Sequence, residues 1–344
     1  MLDELDFRSD TVTQPTEQMR RAMASAKVGD DVFGDDPTVN ELQEYAADLV
    51  GHEAAMYVCS GTMGNLTSIL SHTGRGDGVL MGVGSHTWIN ECGNVAVVAG
   101  VMPFPLDDRA GIPTIESIRA GLQTPNVHHA VTTLLTLENT HNSSGGVPID
   151  PETFSSVARE AKSLGLKVHL DGARVFDAAA FFKTDVKVYT REVDSVQLCL
   201  SKGLGAPMGS LLCGGRQFME RARKYRKMLG GGQRQVGIAA AAGLVALRDM
   251  RGRLSEDHSN ALLLADLLRE IGIEVEQLPR RTNMVYFRTP SAIRDESLFT
   301  AACLEKGLRL NPSGRERIRM VTHIGIDESS VRRASEIIKE VISR

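Results

Sequence analysis

The chain has 344 residues, 42% hydrophobic and 24% charged, with a formal net charge of −4. That length exceeds what one compact core usually supports, so two lobes are expected. The mildly acidic balance gives no electrostatic support for binding nucleic acid or an anionic membrane, and no apolar run approaches the roughly 20 residues that cross a bilayer.

The N-terminal stretch Met1-Leu2-Asp3-Glu4-Leu5-Asp6 is acidic and has no signal-peptide pattern, which predicts a cytoplasmic protein. Residues 1–20 read as a polar arm with no core of its own. From about residue 38 to 250 helices and strands alternate: helix 40–50, strand 56–59, helix 65–71, strand 132–137, helix 151–164 opened by proline, strand 166–170, strand 193–200, strand 211–213 and helix 217–229. Such alternation with apolar strands predicts an α/β domain over 21–250, its largely parallel sheet covered on both faces. Beyond residue 251 a long helix (260–271), strands 284–287 and 317–322 with a helix between them, and a last helix (330–342) predict a smaller α+β domain over 251–344. The five cysteines never fall in Cys-x-x-Cys spacing, and Cys59, Cys199 and Cys213 sit in apolar runs, so buried thiols are expected rather than disulfides or metal ligands.

The strand 193–200 ends in Ser201-Lys202-Gly203, and 31 residues upstream of Lys202 the strand 166–170 ends in Asp171-Gly172-Ala173-Arg174. Strand ends are where α/β sheets place their chemistry. A lysine backed by apolar residues is a usable nucleophile toward a carbonyl, because desolvation disfavours its ammonium. A Schiff-base lysine paired with a carboxylate for a pyridinium nitrogen is the pair that pyridoxal phosphate (PLP) requires. Ser60-Gly61-Thr62-Met63-Gly64-Asn65 follows a strand and opens a helix, the arrangement of a phosphate cup, and it lacks the Gly-Lys-Ser/Thr of a P-loop. His86 and Trp88 follow another apolar run, where one ring can stack on a pyridine face. Glu138-Asn139-Thr140-His141-Asn142 closes the strand 132–137, and His128, just before it, is a second acid/base candidate. Lys224, Arg226, Lys227 and Arg234 flank the triple glycine 230–232, so a basic group can reach an acidic cofactor from there, across a subunit contact. Arg317 and Arg319 share one face of a strand, and one of them buried there would need an anion such as a substrate carboxylate.

Together these motifs resemble the low-specificity L-threonine aldolases, PLP enzymes of the aspartate-aminotransferase-like fold (fold type I). The resemblance runs from Asp6-Phe7-Arg8-Ser9-Asp10 to Val321-Thr322-His323, through Leu137-Glu138-Asn139-Thr140-His141-Asn142, His169-Leu170-Asp171-Gly172-Ala173-Arg174, Leu200-Ser201-Lys202-Gly203-Leu204-Gly205 and Lys227-Met228-Leu229-Gly230-Gly231-Gly232. It implies a mostly parallel, seven-stranded sheet sandwiched by helices. It also implies retro-aldol cleavage of L-threonine, L-allo-threonine and related L-β-hydroxy-α-amino acids to glycine and an aldehyde. Lys202 would hold PLP, Asp171 its pyridine nitrogen, and Ser60, Gly61 and Thr62 its phosphate, with Lys227 and Arg234 reaching in from a neighbouring subunit of a homotetramer. His86 would stack on the ring; Ser9, Arg174 and Arg319 would grip the substrate carboxylate; His128 would sit near its hydroxyl. The base that takes the hydroxyl proton stays open between His86, His128 and an ordered water. β-Elimination or amino-acid racemisation on the same scaffold is the alternative chemistry. The sequence departs from the family at Trp88, Asn94 and Gln233, around the cleft mouth, which bears on side-chain preference.

Overall fold

The computed structural model describes residues 4–124, 126–314 and 316–343. Seven strands build the central sheet: β1 (Ala54–Val58), β2 (Gly78–Gly82), β3 (Met102–Leu106), β4 (Thr132–Glu138), β5 (Lys167–Asp171), β6 (Ser195–Cys199) and β7 (Ser210–Gly214). Their spatial order is β1-β7-β6-β5-β4-β2-β3. Pairing is parallel from β6 through β3, and β7 runs antiparallel to both β6 and β1. Successive side chains leave the sheet on opposite faces, and both faces are covered. Leu211 and Cys213 pack with Val196 and Leu198 in the main core, while Leu212 joins Met56 and Val58 in a separate cluster.

The helices begin where local chemistry lets them. Pro37–Val50 starts at a proline and is capped by Asp36, whose carboxylate accepts from the backbone of Thr38 and Val39. Pro151–Ser163 repeats the device with Asp150. Strand β3 carries Pro103 and Pro105, which have no N–H to give to a ladder. They are tolerated because β3 is an edge, where a missing N–H breaks no interior ladder.

A second core gathers Phe7, helix Leu254–Glu270, helix Glu328–Ile342 and the strands β8 (Met284–Arg288) and β9 (Arg317–Val321). Strands β8 and β9 pair antiparallel. The N-terminal arm is tied into this part: Leu5–Asp6 pairs in parallel with Leu308–Arg309, and Val321 donates its N–H to the Phe7 carbonyl. Helix Leu254–Glu270 starts six residues before the expected 260 and contributes Leu254 to the main core as well, so it packs against both. Among the described residues no helix is long and apolar enough to cross a membrane.

Candidate active site

Register in the parallel part of the sheet sets the site. Glu138 at the end of β4 lies opposite Asp171 at the end of β5, and Asp171 lies opposite Gln197 on β6. The carboxyl ends of three neighbouring strands thus form one edge, where open α/β sheets bind ligands. Strand β6 stops at Cys199, so Lys202 stands in the turn beyond it rather than on the strand. Gly205 closes that turn at φ 79°, and a Cβ there would come within 2.6 Å of Ile324. The Lys202 amine is half-buried and has no hydrogen bond or ion pair among the described residues.

Helix Gly61–His72 opens on the same edge. Its cap is Ser60, whose hydroxyl accepts from the Met63 N–H, so Ser60 serves the helix first and leaves the first-turn N–H groups of Gly61 and Thr62 for an anion. Gly61 is required by packing: a Cβ would meet Cys199 Sγ at 2.9 Å. Asp171 is buried; its Oδ1 accepts from the Ala173 N–H at 3.1 Å and its Oδ2 from Asn65 Nδ2 at 2.8 Å. Each oxygen keeps a free lone pair.

His86 is half-buried and its Nδ1 lies 3.0 Å from Glu91 Oε1. A carboxylate only accepts, so Nδ1–H is the donor and Nε2 of the neutral ring is bare. The hydrogen bond to Glu91 raises the His86 pKa above the ordinary 6.5 against the opposing effect of burial, with help from the Asp171 charge. His86, Glu91 and Asp171 present ligand atoms within 4.8 Å of one another. Glu138 fixes the backbone around them, accepting from the N–H of His86 at 2.6 Å and of Asn142 at 2.9 Å. Burial pushes the Glu138 carboxyl up, against the charge of His141.

The two arginines of β9 part company. Arg317 lies over the Tyr286 ring and pairs with Glu276 at 2.6 Å, so it is spent. Arg319 donates to Asn142 Oδ1 at 3.2 Å and to the Arg8 carbonyl at 3.0 Å, while its buried Nε has no partner. An unpartnered buried guanidinium nitrogen is costly unless a ligand arrives. Ser9 follows Arg8 on the arm, its hydroxyl accepting from the Thr11 N–H.

Arg174 is tied first to the N-terminal arm. It is buried, and two of its nitrogens form a fork on Asp10, Nε to Oδ2 at 2.7 Å and Nη2 to Oδ1 at 2.6 Å. Burial alone would raise the Asp10 pKa, but the Arg174 charge and hydrogen bonds outweigh it and hold the carboxyl well below the usual range. Arg174 therefore anchors the arm first and keeps Nη1 and the second N–H of Nη2 for a substrate. His128 is not brought to the site within one chain. It is exposed in the loop before β4, and a parallel strand puts its amino end at the sheet edge opposite the one bearing Glu138. Lys227 and Arg234 are exposed, and Arg234 pairs with Asp30 at 2.9 Å; neither touches Lys202, Asp171 or His86.

The beta-eliminating lyase family model matches residues 6–290. The chain belongs to that family. Within it, the chain is 41% identical over 328 residues to the low specificity L-threonine aldolase of Escherichia coli K12, covering 95% of this chain and 96% of that one. It is 43% identical over 333 residues to a probable low-specificity L-threonine aldolase of Arabidopsis thaliana, covering 95% and 94%. These matches make the chain a carbon–carbon lyase of the threonine aldolase group. The Leishmania major threonine aldolase superposes with a TM-score of 0.83 at 18% identity, over 98% of this chain and 99% of that one. A serine palmitoyltransferase of Sphingomonas wittichii follows at 0.75, with 18% identity over 98% and 86%; at that identity both speak for the fold, PLP-enzyme fold type I.

Residue reading gave no separate role to Asp10, Asn65, Glu91 or His169, which hydrogen-bond to Arg174, Asp171, His86 and Asn65. Asn65 had a legible signal: Asn65, Ser68 and His72 recur at helical spacing on one face of the helix.

Proposed function

We propose that this chain binds pyridoxal phosphate on Lys202 and cleaves L-threonine, L-allo-threonine and related L-β-hydroxy-α-amino acids such as phenylserine to glycine and an aldehyde. The observation that carries the reading is the meeting, at one sheet edge, of an unpartnered lysine amine, a buried carboxylate with free lone pairs and the open start of a helix. These groups suit the aldehyde, pyridine nitrogen and phosphate of PLP, and the buried, partnerless Arg319 Nε suits a substrate carboxylate.

Each residue then has a task. Lys202 offers its amine to the cofactor carbonyl. Asp171 holds a proton on the pyridine nitrogen. The N–H groups of Gly61 and Thr62 take the phosphate at the positive end of the helix dipole. Arg319, Arg174 Nη1 and Ser9 hold the substrate carboxylate. His86, with Nδ1–H committed to Glu91, takes the hydroxyl proton at its bare Nε2. Bound PLP supplies the electron sink for the pair released from the Cα–Cβ bond.

Support for a homotetramer, a dimer of dimers with shared sites, comes from the basic, apolar region around the triple glycine. Phe33 is 76% exposed beneath Arg234 and Met228 is 74% exposed beside Lys227. His128, Lys227 and Arg234 would reach a given Lys202 from a second copy. Division into an arm (1–20), a large domain (21–250) and a small domain (251–344) is supported by the two cores, with helix Leu254–Glu270 spanning both. Five free cysteines fit a cytoplasmic location.

Product analysis tests the chemistry. Protein loaded with PLP and given L-threonine yields glycine and acetaldehyde in equal amounts. Threonine converted instead to 2-oxobutanoate and ammonia, or serine to pyruvate at a comparable rate, would move the assignment to β-elimination.

A further inference from the structure

Helix Gly61–His72 turns polar residues, not apolar ones, toward strands β5 and β6. Asn65, Ser68, His169 and Ser195 are all at most 1% exposed. Burying polar groups costs free energy unless each is paired, and apolar residues of the same shape would pack as well. The fold alone does not call for them.

Proton counting gives the cluster a direction. Asn65 Nδ2 donates to two carboxylates, Asp171 Oδ2 and Glu91 Oε1, both at 2.8 Å. The amide oxygen can only accept, so His169 Nε2, 3.1 Å away, carries the ring proton. His169 Nδ1 must then accept, and the Ser68 and Ser195 hydroxyls both lie 2.9 Å from it. The Ser195 hydroxyl lies 2.8 Å from Ser68 Oγ, and His72 Nε2 lies 2.8 Å from Ser195 Oγ. One arrangement has every donor pointing the same way: His72 to Ser195, Ser195 to Ser68, Ser68 to His169, His169 to Asn65, and Asn65 to Asp171 and Glu91. Burial pushes His169 down to about 4 and His72 to about 3, so both rings are neutral near pH 7, each with one N–H and one bare nitrogen. Hydrogen bonds chained in this way polarise one another.

We propose that Asn65, oriented by His169, is a positioning residue for the cofactor site: one amide holds Asp171 toward the pyridine nitrogen and, through Glu91, holds His86 toward the substrate hydroxyl. The inference rests on the PLP reading above. Donors aimed at a carboxylate favour its charged form, and a charged Asp171 is what keeps the pyridine nitrogen protonated. His169 acts one step further back. Its N–H forbids the flipped amide, in which Asn65 would turn its oxygen toward two carboxylates.

His169→Leu removes the orienting donor, whereas His169→Gln can present an amide N–H to Asn65. The readouts are the dissociation constant for PLP, the pH response of the visible absorbance band of the holoenzyme, and the thermal midpoint. His169→Leu is expected to bind PLP about tenfold more weakly and to shift the band's pH response, and His169→Gln to recover most of both. Asn65→Leu, or Asn65→Ala should the leucine variant not fold, is expected to lose more than His169→Leu. Equal PLP affinity and equal band behaviour in parent, His169→Leu and His169→Gln would overturn the inference. So would a loss of thermal midpoint that Leu and Gln share with no difference in cofactor affinity. If the parent itself fails to take up PLP, the functional reading falls and this inference with it. A parent that binds PLP beside indifferent variants removes this inference alone.

Discussion

Replacing Asp10 with alanine leaves the Arg174 guanidinium, 6% exposed, without the carboxylate that holds two of its nitrogens at 2.6 and 2.7 Å. Breaking a buried, hydrogen-bonded pair by removing one partner costs about 3–5 kcal/mol, a large share of the 5–15 kcal/mol typical of a folded domain. The pH dependence has a definite sign. The Asp10 carboxyl is depressed below its ordinary 3.8, so its contribution is complete above that value and fades only as pH falls through the lower folded value. Asp10→Ala is therefore expected to show the same deficit at pH 7 and pH 5 in urea unfolding. Function suffers selectively, because the arm carries Ser9 and the Arg8 carbonyl that accepts from Arg319. KM for threonine rises more than kcat falls. A deficit under about 1 kcal/mol, the range of an ordinary substitution, together with an unchanged KM would refute the anchoring role of Asp10.

Three further outcomes follow from the same geometry. Protonated His86 has no lone pair at Nε2, so kcat/KM rises with pH through a midpoint above 6.5, and Glu91→Gln moves that midpoint down by removing the charge that raises it; a profile identical in both proteins would dismiss His86 as the base. Arg319→Ala weakens threonine binding by roughly 2–5 kcal/mol while PLP affinity stays near the parent's, measured by KM and by cofactor titration. Arg234→Ala lowers PLP affinity, and mixing it with inactive Lys202→Ala restores some activity, because one hybrid site receives both intact residues; no recovery despite demonstrated subunit exchange would count against shared sites.

The strand-end motifs were readable because their spacing is local. Apolar runs ending in Asp171 and before Lys202 announce two neighbouring strand ends, and parallel register brings them together. What was hidden depends on contacts across long stretches of chain. Asp10 meets Arg174 across 164 residues, so the arginine read as a substrate ligand when most of it is an anchor. Arg317 and Arg319 look alike in sequence, and only the placement of Glu276 and Tyr286 shows that Arg317 is taken while Arg319 keeps a partnerless Nε. His128 precedes the strand that ends at Glu138, and in a parallel sheet that position lies at the wrong end within one chain. Asn65 was visible as part of a phosphate-cup helix, but its second role depends on His169 and Glu91, which come from separate elements.

The most direct test is to reduce the PLP-loaded protein with borohydride, digest it and map the labelled peptide by mass spectrometry. The account predicts one phosphopyridoxyl group, on Lys202, together with loss of the visible absorbance band. A label on another lysine, or none on a protein that still cleaves threonine, would contradict it.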